Sequence, residues 1–355
     1  MDSKKWVKNT MVTFGIGLFL FAIVVIIIDP AVHFHKNLKN ISYQWNHERY
    51  DNDGFLRHFE YQAIITGTSM TENFKTSEFE ALFGKKAVKV PFQGAGYKEI
   101  SDNLERAFSY NDNIEYVVWG LDYDLLLKPY DYSEYFEYPE YLYDKKYSND
   151  IAYILNKDIF VSQLMPDLIR TIKNEKTETM DEYSSWSFET GEEKVLQQYE
   201  RIKIPLEMER FSDKDCNNVE TTITKNILSI TKKHPETEFY IFFTPYSIVT
   251  FDAYMRSGTF DKQLEAEKIA LEMLTAEENI KIYCFFENTD LITNLDNYKD
   301  PYHYCDRVNS EILNWMMKDE YLITKDNYIS HIDYEREILL TALLLFDNKQ
   351  KGVVQ

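Results

Sequence analysis

Cysteine, glycine and proline are scarce, with 3, 11 and 9 residues in a chain of 355. Cys216, Cys284 and Cys305 are scattered and odd in number, so they form neither a disulfide framework nor a zinc signature. No Walker loop occurs, and Gly94-Ala-Gly96 lacks the further glycine and the acidic partner of a dinucleotide fingerprint. Basic residues are also short: 39 Lys and Arg stand against 59 Asp and Glu, a formal charge of −20. That balance excludes nucleic-acid binding, which relies on clustered cations to release counterions. No cofactor and no metal is expected from these patterns, and His33-Phe-His35 lacks a third ligand nearby. What is abundant is aromatic: 27 Tyr and 23 Phe, with enough Ile, Leu and Val to bury the apolar area that ordering requires.

One uncharged run stands out. Met11 to Ile28 is 18 residues long, which as a helix spans roughly 27 Å, close to the hydrocarbon thickness of a bilayer. A cleaved signal peptide would have a shorter apolar region and a small-x-small cleavage site, whereas Ile26 to Val32 offers bulky residues, Asp and Pro. A buried core helix is the other alternative. The run therefore reads as an uncleaved transmembrane anchor, residues 11–28. Lys4, Lys5 and Lys8 precede it, so the positive-inside rule puts residues 1–10 in the cytoplasm and the chain after the anchor outside the cell membrane. The first ten residues carry a net +2, which leaves −22 for the remainder.

After a juxtamembrane segment, 29–60, short apolar runs alternate with amphipathic stretches. Strands are expected at 61–66, 87–90, 115–121, 238–243 and 280–285, and helices near 77–83, 97–110, 219–233, 262–277 and 304–317. Continuous apolar strands separated by amphipathic helices indicate an α/β fold with a parallel sheet. Residues 123–218 are far too many for one crossover and read as an insertion within a domain of residues 61–318. The insertion opens with Tyr123, Tyr130, Tyr132, Tyr135, Tyr138, Tyr141, Tyr143 and Tyr147. These tyrosines suit either a glycan platform or, preferably, packing of the insertion. Residues 319–355 form a helical tail with a wide apolar face.

Two short elements carry chemistry. Thr66-Gly67-Thr68-Ser69-Met70 follows the first strand and precedes a helix, where a serine sits outside a strand's carboxyl end near free N–H groups. Asp300-Pro301-Tyr302-His303 lets a carboxylate orient an imidazole that acts as general base. Each has a plainer reading, Thr68 or Ser69 as a helix N-cap and Asp300 as another. Asp122 and Asp124 also invite a carboxylate dyad, although a solvated acidic loop is the simpler expectation.

Taken together, the block order resembles the SGNH (GDSL-type) hydrolase superfamily over roughly residues 61–318. The resemblance implies a three-layer α/β/α domain around a parallel five-stranded sheet. It implies Ser69 as nucleophile, His303 as base and Asp300 as its orienting acid. The oxyanion hole would comprise the N–H groups of Ser69 and Gly94, with the third-block residue, here Asp122. That block departs from the family, because Gly120-Leu121-Asp122 stands where Gly-x-Asn is usual. An ionised Asp122 repels an oxyanion, and loss of one donor typically costs ~10²–10³ in rate. Asp122 would have to be protonated, point away, or be replaced by another donor such as Thr68 or Tyr123.

The anchor followed by such a domain resembles a narrower group of envelope proteins. These include the proteins of lipoteichoic acid D-alanylation and the alginate-type exopolysaccharide acetyltransferases. The resemblance implies an acyltransferase or esterase acting on a cell-envelope polymer, teichoic acid or polysaccharide, through an acyl-serine. A membrane-bound O-acyltransferase is the implied partner, and no cofactor is implied. A non-catalytic binding or scaffold subunit is the alternative, favoured by Asp122 and the aromatic insertion.

Overall fold

A computed structural model describes residues 3–134, 139–144 and 146–352. Among them one helix, Ser3–Ile28, is long and apolar enough to be a membrane span or a signal sequence. The rest is mixed α/β, and the chain divides into two compact units.

The first unit comprises Met1–Phe59 and Glu137–Ser184. It joins the stretch after the apolar helix to part of the long 123–218 connection. Asp29, in the left-handed region at φ 50°, stops the helix and gathers the chain beyond it. Its carboxylate accepts the backbone N–H groups of His33, Phe34 and His35 and the hydroxyl of Tyr153. His33 Nε2 lies 3.3 Å from Asp150, while the His35 ring bonds the carbonyls of Ile26 and Lys36. The two histidines thus serve this turn separately. Further along, backbone N–H groups of Ser42 and Gln44 donate to Thr171 and Asp167 of the helix Met165–Ile172.

The second unit, Glu60–Phe136 and Ser185–Gln355, is built on a six-stranded sheet. Its strands are β1 (Ala63–Thr66), β2 (Ala87–Lys89), β3 (Tyr116–Leu121), β4 (Glu238–Phe243), β5 (Ile280–Tyr283) and β6 (Leu322–Ile323), in the order β2-β1-β3-β4-β5-β6. The first five run parallel. Their β-branched and aromatic runs, such as Tyr-Val-Val-Trp-Gly-Leu in β3, are buried almost throughout, as strands covered on both faces must be. The flanking helices fall into two groups. Thr76–Phe83 packs with Asp306–Met317, whereas Phe260–Leu274 packs with Asp213–Thr222, Ile248–Ser257 and Tyr328–Gln350.

The sheet has one strand more than the expected five. Asp319 and Tyr321, both at positive φ, turn the chain back so that β6 pairs antiparallel with β5. Two residues are too few for an alternation pattern, which is why this stretch reads as part of a helical tail. The chain moves outward from β1 to β2, then returns to the other side of β1 for β3. That reversal opens a crevice outside the carboxyl ends of β1 and β3, the usual place for a ligand in a parallel sheet.

Of the insertion's tyrosines, Tyr135 and Tyr138 lie outside the described residues. Five of the other six pack: Tyr123 is fully buried, Tyr130 and Tyr132 lie beneath Lys225 and Lys128, and the hydroxyls of Tyr141 and Tyr143 meet Asn156 and the Arg49 carbonyl. Tyr147 alone of the six is widely exposed.

Candidate active site

Ser69 follows β1 at that crevice. A Cβ on Gly67 would lie 2.6 Å from the Thr71 side chain and 3.1 Å from the Gly120 carbonyl, so only glycine lets the chain turn this tightly against β3. Thr68 caps the short turn Ser69–Thr71 by accepting the Met70 N–H, and the Thr71 hydroxyl donates to the Thr68 carbonyl at 2.9 Å. The result presents a part-exposed Ser69 whose Oγ lies 2.8 Å from His303 Nε2.

His303 belongs to a loop held on several sides. An isolated antiparallel bridge between Tyr298 and Tyr304 closes it. The Pro301 carbonyl accepts the hydroxyls of Ser247 and Thr250 at 2.6 and 2.7 Å, from the segment after β4. Tyr304 Oη and Asn309 Nδ2 both donate to the Met70 carbonyl, fastening the histidine loop to the serine turn. The following helix begins at Asp306 with Cys305 at its N-cap, so Asp300 caps no helix. It instead closes a tight local turn: Oδ1 accepts the N–H groups of Tyr302 and His303 at 2.9 and 2.8 Å.

His303 Nδ1 lies 2.8 Å from Asp300 Oδ2 and 3.0 Å from Oδ1. Burial raises the Asp300 carboxyl's affinity for a proton, but the imidazole and the two backbone donors outweigh it and hold the group below its ordinary range. An ionised Asp300 accepts the proton on Nδ1, which leaves the Nε2 lone pair directed at Ser69 Oγ. Serine, histidine and aspartate are thereby placed in series.

Gly94 occupies the left-handed region at φ 65° in the turn after β2. This turn is joined to the serine loop by the Phe92 N–H, which donates to the Gly67 carbonyl at 2.9 Å. Asp122, at the end of β3, interacts with Thr68, Thr244 and Tyr246, with Thr244 Oγ1 at 3.2 Å. Burial raises its carboxyl above the ordinary range even against those hydrogen bonds and the nearby His303. Asp124 is pushed up to about 7, first by burial and then by the charge of Asp122, and Tyr254 donates to it. The expected solvated acidic loop is therefore modified: both residues are half-buried, and the hydroxyls of Tyr246 and Tyr254 bond their carboxyls. Tyr123 is no substitute oxyanion donor, because its hydroxyl is buried against Glu267.

Several neighbours have no sequence signature. Trp186 meets the His303 ring edge-on at 5.9 Å between centroids, and its backbone N–H donates to Asn73 Oδ1. Lys299 Nζ sits 4.0 Å from the Trp186 ring and 4.2 Å from that of Phe188. The aromatic groups at the crevice thus come from Ser185 onward in the long connection, rather than from its tyrosine-rich start. Cys216, Cys284 and Cys305 are all unpaired.

No family model matches the sequence, and no curated protein matches it. Among solved structures, one described as "a putative platelet activating factor from Streptococcus pneumonia" is similar, with a TM-score of 0.38 and 14% identity, covering 77% of this chain and 90% of that chain.

Proposed function

We propose that this chain is a membrane-anchored SGNH-type serine acyltransferase or esterase whose main domain acts outside the cell on an envelope polymer. The observation that carries the reading is the series Ser69 Oγ, His303 Nε2 and Nδ1, and Asp300, with successive separations of 2.8 Å. His303 takes the Ser69 proton as Oγ attacks an ester carbonyl, and Asp300 stabilises the imidazolium that forms. The tetrahedral oxyanion is held by the N–H groups of Ser69 and Gly94. As the C–O bond to the leaving alcohol breaks, His303 returns the proton to that alcohol and acyl-Ser69 remains. Water or a sugar hydroxyl then attacks the acyl carbonyl while His303 takes its proton, the C–O bond to Ser69 Oγ breaks, and His303 returns that proton to Oγ as the free acid or new ester leaves.

Asp122 fits this scheme when it holds a proton, the direction in which burial moves it; a protonated carboxyl donates a hydrogen bond as the family's asparagine amide does. The aromatic surface of Trp186 and Phe188 suits a sugar face beside the reacting ester. A membrane-bound O-acyltransferase is the partner that would supply acyl groups from the other side of the bilayer. The rival reading, a binding or scaffold subunit, rests on an ionised Asp122 facing the serine turn.

Turnover of an aryl acetate by the full chain in detergent, with water or a soluble polyol as acceptor, tests the proposal. Acetate release or transfer that disappears in Ser69→Ala supports a serine enzyme. Activity of both proteins at the same rate refutes the assignment, and binding of envelope polymer without Ser69-dependent turnover supports the scaffold reading.

A further inference from the structure

A second cluster of chemically capable side chains lies in the same unit but takes no part in the serine chemistry. Glu267 comes from the helix Phe260–Leu274, and Cys284 stands immediately after β5. His331 and Glu335 come from the C-terminal helix Tyr328–Gln350, where their four-residue spacing puts both on one face. All four are buried, and one ligand atom from each lies within 4.8 Å of all the others. We propose that Glu267, Cys284, His331 and Glu335 form a binding site for a divalent transition metal, with zinc the best match to one sulfur, one nitrogen and two oxygen donors.

The donor set and its spacing fit. Tetrahedral zinc with bonds of roughly 2.0–2.3 Å separates its ligands by about 3.3–3.8 Å. The cluster therefore needs to contract by about 1 Å at its widest, within the reach of Glu side-chain rotamers. Cys284 Sγ already lies 3.4 Å from Glu267 Oε1 and 3.7 Å from Glu335 Oε2, and His331 Nε2 lies 3.2 Å from that same Glu335 oxygen.

Two independent features point to a ligand rather than to a closed hydrogen-bond network. First, Glu335 Oε1 is buried without a hydrogen-bond partner among the described residues and the Glu335 side chain is 0% exposed, while His331 Nε2 faces Glu335 Oε2 at 3.2 Å. An unsatisfied buried carboxylate oxygen is costly, and a cation shared by the cluster satisfies it. Second, Cys284 and His331 line a surface pocket of about 450 Å³ together with Glu287, Tyr321 and Tyr334, which provides an entry path.

The outer contacts have the arrangement that orients metal ligands. His331 Nδ1 is bonded to Glu287 Oε1 at 2.7 Å, which aims Nε2 at the cluster. The Tyr123 hydroxyl donates to Glu267, leaving that carboxylate's other oxygen for the metal. On binding, the Cys284 thiol proton, the proton that His331 Nε2 shares with Glu335 and any proton held by the carboxyls pass to solvent, so M²⁺ exchanges for protons without any redox change. The occupied site would tie the C-terminal helix to β5 and to the helix Phe260–Leu274.

The full chain, purified in detergent without chelator, is assayed for bound metal, then stripped and titrated with Co²⁺. The expected results are zinc near one equivalent per chain, and a thiolate-to-cobalt charge-transfer band with tetrahedral visible bands. That charge-transfer band is lost in Cys284→Ser, and Zn²⁺ raises the melting temperature of the stripped protein. Glu287→Gln, which keeps the side-chain shape and removes the charge of the outer partner, is expected to weaken Co²⁺ binding by ~10–100-fold. A stripped protein that remains folded and gives no charge-transfer band overturns the proposal. So does a band that is unchanged in Cys284→Ser.

Discussion

Replacing Asp300 with asparagine isolates the orienting carboxylate from every other part of the site. The backbone turn is expected to survive, because the amide oxygen can still accept the N–H groups of Tyr302 and His303 that Oδ1 accepts now. The change falls on the other bond. An amide NH₂ facing His303 Nδ1, now 2.8 Å from Oδ2, requires Nδ1 to accept, and the ring proton moves to Nε2. Nε2 then donates to Ser69 instead of taking its proton. A wrong tautomer with intact geometry costs ~10⁴ in turnover by analogy with other serine triads, or about 5 kcal/mol of transition-state stabilisation. The assay is the rate of Ser69 acylation by an activated ester, read beside the melting temperature. A variant that melts with the wild type and acylates ~10⁴-fold more slowly agrees with the geometry. A folded Asp300→Asn protein acylating within about tenfold of the wild type would refute the reasoning, since no tautomer argument yields so small an effect.

Three further outcomes follow from the same contacts. Asp124 binds its proton more tightly folded, with a pKa of about 7, than unfolded, at about 3.9. Its contribution to stability is therefore present below about pH 4 and lost as pH rises to about 7; Asp124→Asn should flatten the decline in melting temperature over that window, and an unchanged slope would contradict it. Gly120→Ala would bring a Cβ to 2.8 Å from Thr71 Cγ2 and 3.0 Å from Phe242 Cζ. It should cost ~1–3 kcal/mol in denaturant unfolding and slow acylation by shifting the serine turn, whereas a neutral change would show that the turn has slack. In cells, external protease should digest the chain beyond the apolar helix while an N-terminal tag stays protected, and the reverse pattern would invert the topology.

The sequence shows different parts of this architecture to different degrees. The five parallel strands are legible because each is a short run dominated by apolar residues, interrupted by charge only at Lys89 in β2, Glu238 at the start of β4 and Lys281 in β5, and the helix Tyr97–Tyr110 has the expected bounds because its amphipathic pattern ends at Asn111. Ser69 and the Asp300–His303 pair are visible because their chemistry depends on spacing of a few residues and on following a strand. The start of the helix Asp306–Met317 is not visible: the Tyr298–Tyr304 bridge keeps the histidine loop extended until Cys305, and such a bridge leaves no local pattern. Nor are Thr244, Tyr246 and Trp186, which reach the site only because β4 lies beside β3 and the long connection returns near His303. Only His331 and Glu335 share a local spacing, since three separate elements supply Glu267, Cys284 and that pair. Their proximity exists only in three dimensions.

The central claim is that Ser69 is the nucleophile, and a fluorophosphonate tests it most directly because the reagent needs an activated serine but no particular acyl group or acceptor. The full chain in detergent is treated, digested and mapped by peptide mass spectrometry. The account predicts one adduct on Ser69, absent from Ser69→Ala and strongly reduced in Asp300→Asn. Equal labelling of wild type and Ser69→Ala, or a folded wild type that carries no adduct, would contradict it.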